Sequence, residues 1–173
     1  MEVRTTRDMW NRQSTQRLLW LAVLITVLGV FHHLDHIVRG NHIGWPITSR
    51  VTSFTLSLLI YAWLLPGLYF TTRGKVGSGY WVGTAIPLLL LVVFVHFNPS
   101  PKGESWRDIY LPYANPAAYC GKQLSINPPV EGASWLCNSQ PAPSRPWLGV
   151  LAVANTLGLV VAVAGLLVTA VFS

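Results

Sequence analysis

The chain has 173 residues, 51% of them hydrophobic and only 10% charged, with a formal net charge of +6. Soluble domains carry about 25% charged residues, so this composition excludes an ordinary water-soluble globule. The Lys and Arg residues sit in tails and loops, with no basic block interleaved with aromatics, so nucleic acid is excluded as a partner and the lipid bilayer is the expected one.

A bilayer core is crossed by about 20 helical residues. Four stretches meet that need: Leu18–Val38, Val51–Tyr69, Tyr80–Phe97 and Trp147–Phe172. The expected fold is all-α, an integral membrane four-helix bundle with a long extracytoplasmic loop between helices 3 and 4. Residues 1–17 form a basic tail, 18–97 the first three helices, 98–146 a cap loop and 147–173 the fourth helix.

The tail carries Arg4, Arg7, Arg12 and Arg17. The apolar run behind it is longer than a signal-peptide core, and no small-residue cleavage site follows, so it reads as an uncleaved helix. The tail and the Arg73–Lys75 connection concentrate six Lys/Arg within few residues, whereas the six on the opposite side are spread over a longer length. That density predicts cytoplasmic N- and C-termini, with the plasma membrane as the expected location.

The first helix ends in Phe31-His32-His33-Leu34-Asp35-His36-Ile37-Val38-Arg39-Gly40-Asn41-His42. Asp35 is the only acidic residue in any apolar span, and ionisable groups at membrane depth mark sites. At about 100° per residue, His32, Asp35, His36 and Arg39 share an arc of about 100°. They form one polar stripe, with His33 at its edge. His32 lies about 9 Å inside the outer end of this helix.

The second helix enters with Thr52, Ser53, Thr55 and Ser57, and Pro66 near its far end frees the carbonyl of Ala62. A short connection with Gly74, Gly77 and Gly79 leads to the third helix, which contains Pro87 and ends near His96. Residues 98–146 hold nine of the twelve prolines, together with Trp106, Tyr110, Tyr113, Tyr119 and Trp135. Those aromatics predict a partly ordered cap. Cys120 and Cys137 lie in the same loop, on the side where disulfides persist, and are expected to pair. The fourth helix carries Asn155 in its outer half and a small-residue stripe, Ala154, Gly158 and Ala162, which fits close packing within the bundle.

Polar groups from all four helices thus gather in one half of the membrane. His32 and His36, spaced i and i+4, can present two nitrogens, and His96 a third from another helix. Neutral imidazole ligates Fe, Cu or Zn. Asp35 serves either as a further ligand or as a hydrogen-bonding group that orients a histidine. His33, Arg39, His42 and Asn155 are candidates for the surrounding shell. Alternatively, His32 or His36 with His96 could hold a haem from two helices. The expected function is a metal- or haem-binding redox subunit, possessing other membrane subunits as candidate partners. Two further readings are a non-enzymatic subunit or assembly factor of a larger complex, and a small transporter component. The apolar inner halves of the helices argue against the transporter. Whether the chain is an enzyme is left open by the sequence.

Overall fold

A computed structural model describes residues 6–39, 51, 53–97, 105–120, 136 and 142–173. Among these residues all regular structure is helical: α1 (Thr6–Arg39), α2 (Ser53–Ser57), α3 (Leu59–Thr72), α4 (Ser78–Phe97), α5 (Trp106–Ala114), α6 (residues 116–120) and α7 (Pro146–Val171). Four segments are long and apolar enough to cross a membrane: Arg12–Arg39, Phe54–Thr72, Ser78–His96 and Pro146–Val171.

α1 starts at Thr6 rather than at Leu18. Residues 6–17 contain neither Pro nor Gly, so nothing in the basic segment halts the helix that the apolar span propagates. The second span divides at Leu58. There Ser57 Oγ donates to the carbonyl of Phe54 at 2.6 Å, a side-chain bond that competes with the helical ladder. α3 ends in a Schellman motif. Gly74, at φ +64°, donates its N–H to Thr71 O at 3.0 Å, and Lys75 donates to Phe70 O at 2.9 Å, which satisfies the last carbonyls. Pro146 begins α7 at the first turn, where its missing N–H has no consequence.

Part of the stretch expected to be loop is helical. The N–H of Ser105 and its hydroxyl both donate to Asp108 Oδ2, at 2.9 and 2.6 Å, and so cap α5. Ile109, Pro112 and Tyr113 are buried as α5 packs on the first turns of α7. The contact is close because Gly149 has no side chain: a Cβ there would stand 2.8 Å from the carbonyl oxygen of Tyr110. Cys137 lies outside the described residues, and the expected Cys120–Cys137 disulfide lies there with it.

The core runs between α1, α3, α4 and α7 and is apolar. Ala22, Ile25, Leu64, Trp81, Ala85 and Val163 are each no more than 1% exposed. The small-residue stripe works within this packing, since Gly158 faces Leu28 and Gly165 faces Leu21. Threonines inside the spans turn their hydroxyls back onto carbonyls one turn earlier, as Thr26 does to Ala22 and Thr84 to Tyr80, both at 2.8 Å. This satisfies polar groups that lipid cannot. Large side chains such as Trp20, Phe31, Leu90, Phe94 and Val161 are exposed around the outside, a surface consistent with contact to lipid.

Candidate metal centre

The last turn of α4 meets α1 about two turns before the end of α1, beside α2 and the third turn of α7. That alignment brings His32 and His36 of α1 against His96 of α4. All three are buried. His32 Nε2 lies 3.2 Å from His36 Nε2 and 3.2 Å from His96 Nε2. One nitrogen from each ring falls within 4.8 Å of the others. The His32 ring stands edge-on to both partners, with centroids 4.6 and 4.8 Å away.

On its other edge, His32 Nδ1 is 3.3 Å from the hydroxyl of Thr156 on α7. With that hydroxyl donating its proton to Ala152 O at 3.1 Å, its oxygen is left to accept from Nδ1–H. This assignment makes His32 the Nδ1–H tautomer, whose Nε2 would present a lone pair to the cluster. A second group that accepts the distal N–H is the usual way a ligating histidine is oriented.

The other candidates have different places. Asp35 faces away from the three imidazoles. Its Oδ2 accepts from Arg39 Nε at 2.7 Å, and its Oδ1 accepts from the phenol of Tyr113 at 2.5 Å. Arg39 is fully buried and donates through Nη1 to Asp108 O at 3.3 Å. Asp35 and Arg39 therefore join α1 to the α5 cap. Burial, and after it the negative charge of Asp35, pushes the Tyr113 phenol above its ordinary value, so it remains the donor in this bond.

His33 turns toward α2 and α3. Its Nε2 is 2.9 Å from Ser57 Oγ, and its Nδ1 is 2.7 Å from the Tyr61 hydroxyl and 2.8 Å from Gly29 O. Asn155 donates to Leu28 O at 3.1 Å, tying α7 to α1 below the cluster. His42 lies outside the described residues.

A cavity of about 60 Å³ opens beside the three imidazoles. That is room for one or two waters or an ion with a small ligand. Ile25, Leu64, Leu88 and Leu159 form its apolar floor, while Ser57 and Tyr61 add hydroxyls.

Sequence reasoning placed Ser57 among the polar groups gathered in this half of the membrane, and missed Thr156, Tyr113 and Tyr61 as neighbours of the cluster. Thr156 was within reach, because a hydroxyl in an apolar span next to Asn155 is unusual enough to mark a face. Tyr113 was not, since only the docking of α5 brings it to Asp35. Comparison with protein-family models, curated proteins and solved structures finds no match to this chain, so the site is read from its own geometry.

Proposed function

We propose that the chain is an integral membrane metalloprotein in which His32, His36 and His96 hold one transition-metal ion, and that it acts as a redox subunit. The observation that carries this reading is the convergence of three imidazole nitrogens in a buried pocket. Imidazole nitrogens this close are held either by an N–H between them or by a shared cation. A tetrahedral ion with metal–nitrogen bonds of about 2.0–2.1 Å holds its ligand nitrogens about 3.3 Å apart. The two distances from His32 Nε2 are both 3.2 Å. The remaining pair, His36 to His96, lies within 4.8 Å, so two of the three spacings match a tetrahedral ion.

Three protein ligands leave one position of a tetrahedral ion open, the arrangement of reactive rather than purely structural sites. The cavity beside the imidazoles would give room for a further ligand. An imidazole set suits Zn, Cu, Fe or Ni, and iron or copper would supply the one-electron chemistry of a redox subunit. The chain's own contribution is orientation: Thr156 would accept the distal N–H of His32, and α5 holds the end of α1 through Asp35 and Arg39. We further propose that the histidine end is extracytoplasmic, with both termini in the cytoplasm of a plasma-membrane protein. The dense basic residues at the opposite end support this.

Metal analysis and an absorption spectrum of protein extracted directly into lipid nanodiscs test the reading. The expected result is about one Fe, Cu or Zn per chain without a Soret band, falling below about a tenth in His32→Ala. A Soret band would replace the ion by haem. If no stoichiometric metal is held and replacing His32 and His36 changes nothing measurable, the redox reading is dropped in favour of a non-enzymatic subunit.

A further inference from the structure

The cavity has a wall that faces lipid. Its lining includes Ile60 of α3 and Leu91 and Val95 of α4. Leu91 is 44% exposed on the outer surface of the bundle, and Ile60 and Val95 are partly exposed. Hydrogen bonds tie α3 to α4 toward the opposite end of the bundle. Trp63 Nε1 donates to Thr84 Oγ1 at 2.9 Å, the Tyr80 phenol donates to Trp63 O at 2.6 Å, and Trp81 Nε1 donates to Thr71 Oγ1 at 3.0 Å. The Trp63 and Tyr80 rings stack there with centroids 5.9 Å apart. Toward the histidine end, the cavity stands between the two helices instead.

Toward the end of α1 the described residues are built differently. There the buried Arg39 joins Asp35 and the Asp108 backbone, and Tyr113 closes on Asp35.

We infer that the cavity beside His32, His36 and His96 is a ligand site entered sideways from the bilayer between α3 and α4, and that its ligand is a small, uncharged, lipid-soluble molecule carrying one oxygen. The inference rests on the metal reading, because the oxygen would fill the open position of the ion. Lipid solubility follows from the route past Leu91 and Ile60. Absence of charge follows from the apolar floor, where an unpaired ion would be costly. A single oxygen matches a lining with few polar groups, in which the hydroxyls of Ser57 and Tyr61 are already engaged by His33. The volume of about 60 Å³ limits the molecule to a few heavy atoms.

The test uses the full chain in nanodiscs, loaded with Co(II) or with Zn(II). The probes are 2,2,2-trifluoroethanol and trifluoroacetate, which are matched in size and differ in charge. The readout is 19F relaxation. Trifluoroethanol is expected to show saturable relaxation enhancement in the Co(II) protein and none in the Zn(II) protein. Trifluoroacetate should show none in either. Leu91→Trp and, separately, Ile60→Phe are expected to weaken the alcohol's apparent affinity at least ten-fold with cobalt content unchanged. Leu91 faces lipid, so its replacement does not disturb the core. If one Co(II) is held but the alcohol is not relaxed, or both variants bind it as tightly as wild type, or the acetate binds as well, the lateral site is wrong and the metal reading stands. If the wild-type chain holds no Co(II), the metal reading fails and takes this inference with it.

Discussion

The Thr156 hydroxyl lies 3.3 Å from His32 Nδ1 while giving its own proton to Ala152 O. With the hydroxyl oriented so, one side chain on α7 would select which nitrogen of His32 is bare. Thr156→Val removes the acceptor and keeps the shape. It is expected to lower metal affinity about 10- to 100-fold, the usual effect of losing such a partner. Thr156→Ser should restore most of it. Competition against a chelator of known affinity measures both, and equal affinity in wild type and the valine variant would show that the tautomer is not set here.

His33 and His96 separate a packing histidine from a ligating one. His96→Ala should abolish stoichiometric metal. His33→Ala should leave the metal content near wild type, because the His33 nitrogens face Ser57, Tyr61 and Gly29. Its effect should appear as lost stability of about 1–3 kcal/mol from the hydroxyls left without it. Elemental analysis of both variants, with thermal unfolding in the same nanodiscs, decides the assignment.

The membrane class and the four spans were legible because length and apolar composition alone dictate them. The pairing of His32 with His36 was legible from the i, i+4 spacing on one helix. The angular argument placed Asp35 on the same stripe, yet its carboxylate is drawn outward by two donors. One, Arg39, was visible in the sequence as an i+4 neighbour. The other, Tyr113, is 78 residues away and reaches it only because α5 docks on α7. The meeting of His96 with His32 was an expectation from their shared place in one half of the membrane. Depth says nothing about the rotation of α4, which is fixed by packing of Trp81, Ala85, Leu88 and Val92 in the core.

Asp35→Ala tests the role of the carboxylate. It would leave the fully buried guanidinium of Arg39 without its anion, and breaking one side of a buried pair costs about 3–5 kcal/mol. Metal content should be retained, since both carboxylate oxygens are engaged by Arg39 and Tyr113. Loss of the metal with stability unchanged would instead make Asp35 a ligand. Asp35→Ala combined with Arg39→Met removes both charges, and should recover part of the stability that the single change loses.

Gly149→Ala probes how the cap is seated. The added methyl would stand 2.8 Å from both Tyr110 O and Tyr110 Cδ2. Backbone cannot yield as a side-chain tip can, so α5 must shift from α7 at a cost of about 1–3 kcal/mol. Faster proteolysis within residues 105–120 than in wild type is the expected readout. An unchanged cleavage rate would mean that the cap is held from elsewhere.

The Tyr113–Asp35 bond gives the cap a defined response to alkali. The folded phenol titrates above its unfolded value of about 10, chiefly through burial and then through the Asp35 charge. A group whose folded pKa is raised contributes its stability fully below the unfolded pKa and loses it as pH climbs toward the folded one. The difference in stability between wild type and Tyr113→Phe should therefore be constant from about pH 6 to 9 and shrink only above about pH 10. Its plateau should be about 1.5–3 kcal/mol, the range for a hydrogen bond to a charged group. Thermal unfolding of both proteins across that range measures it. A difference that vanished on lowering the pH from 9 to 6 would require the Asp35 carboxylate to take up a proton there, and the buried pair with Arg39 would then not be ionic.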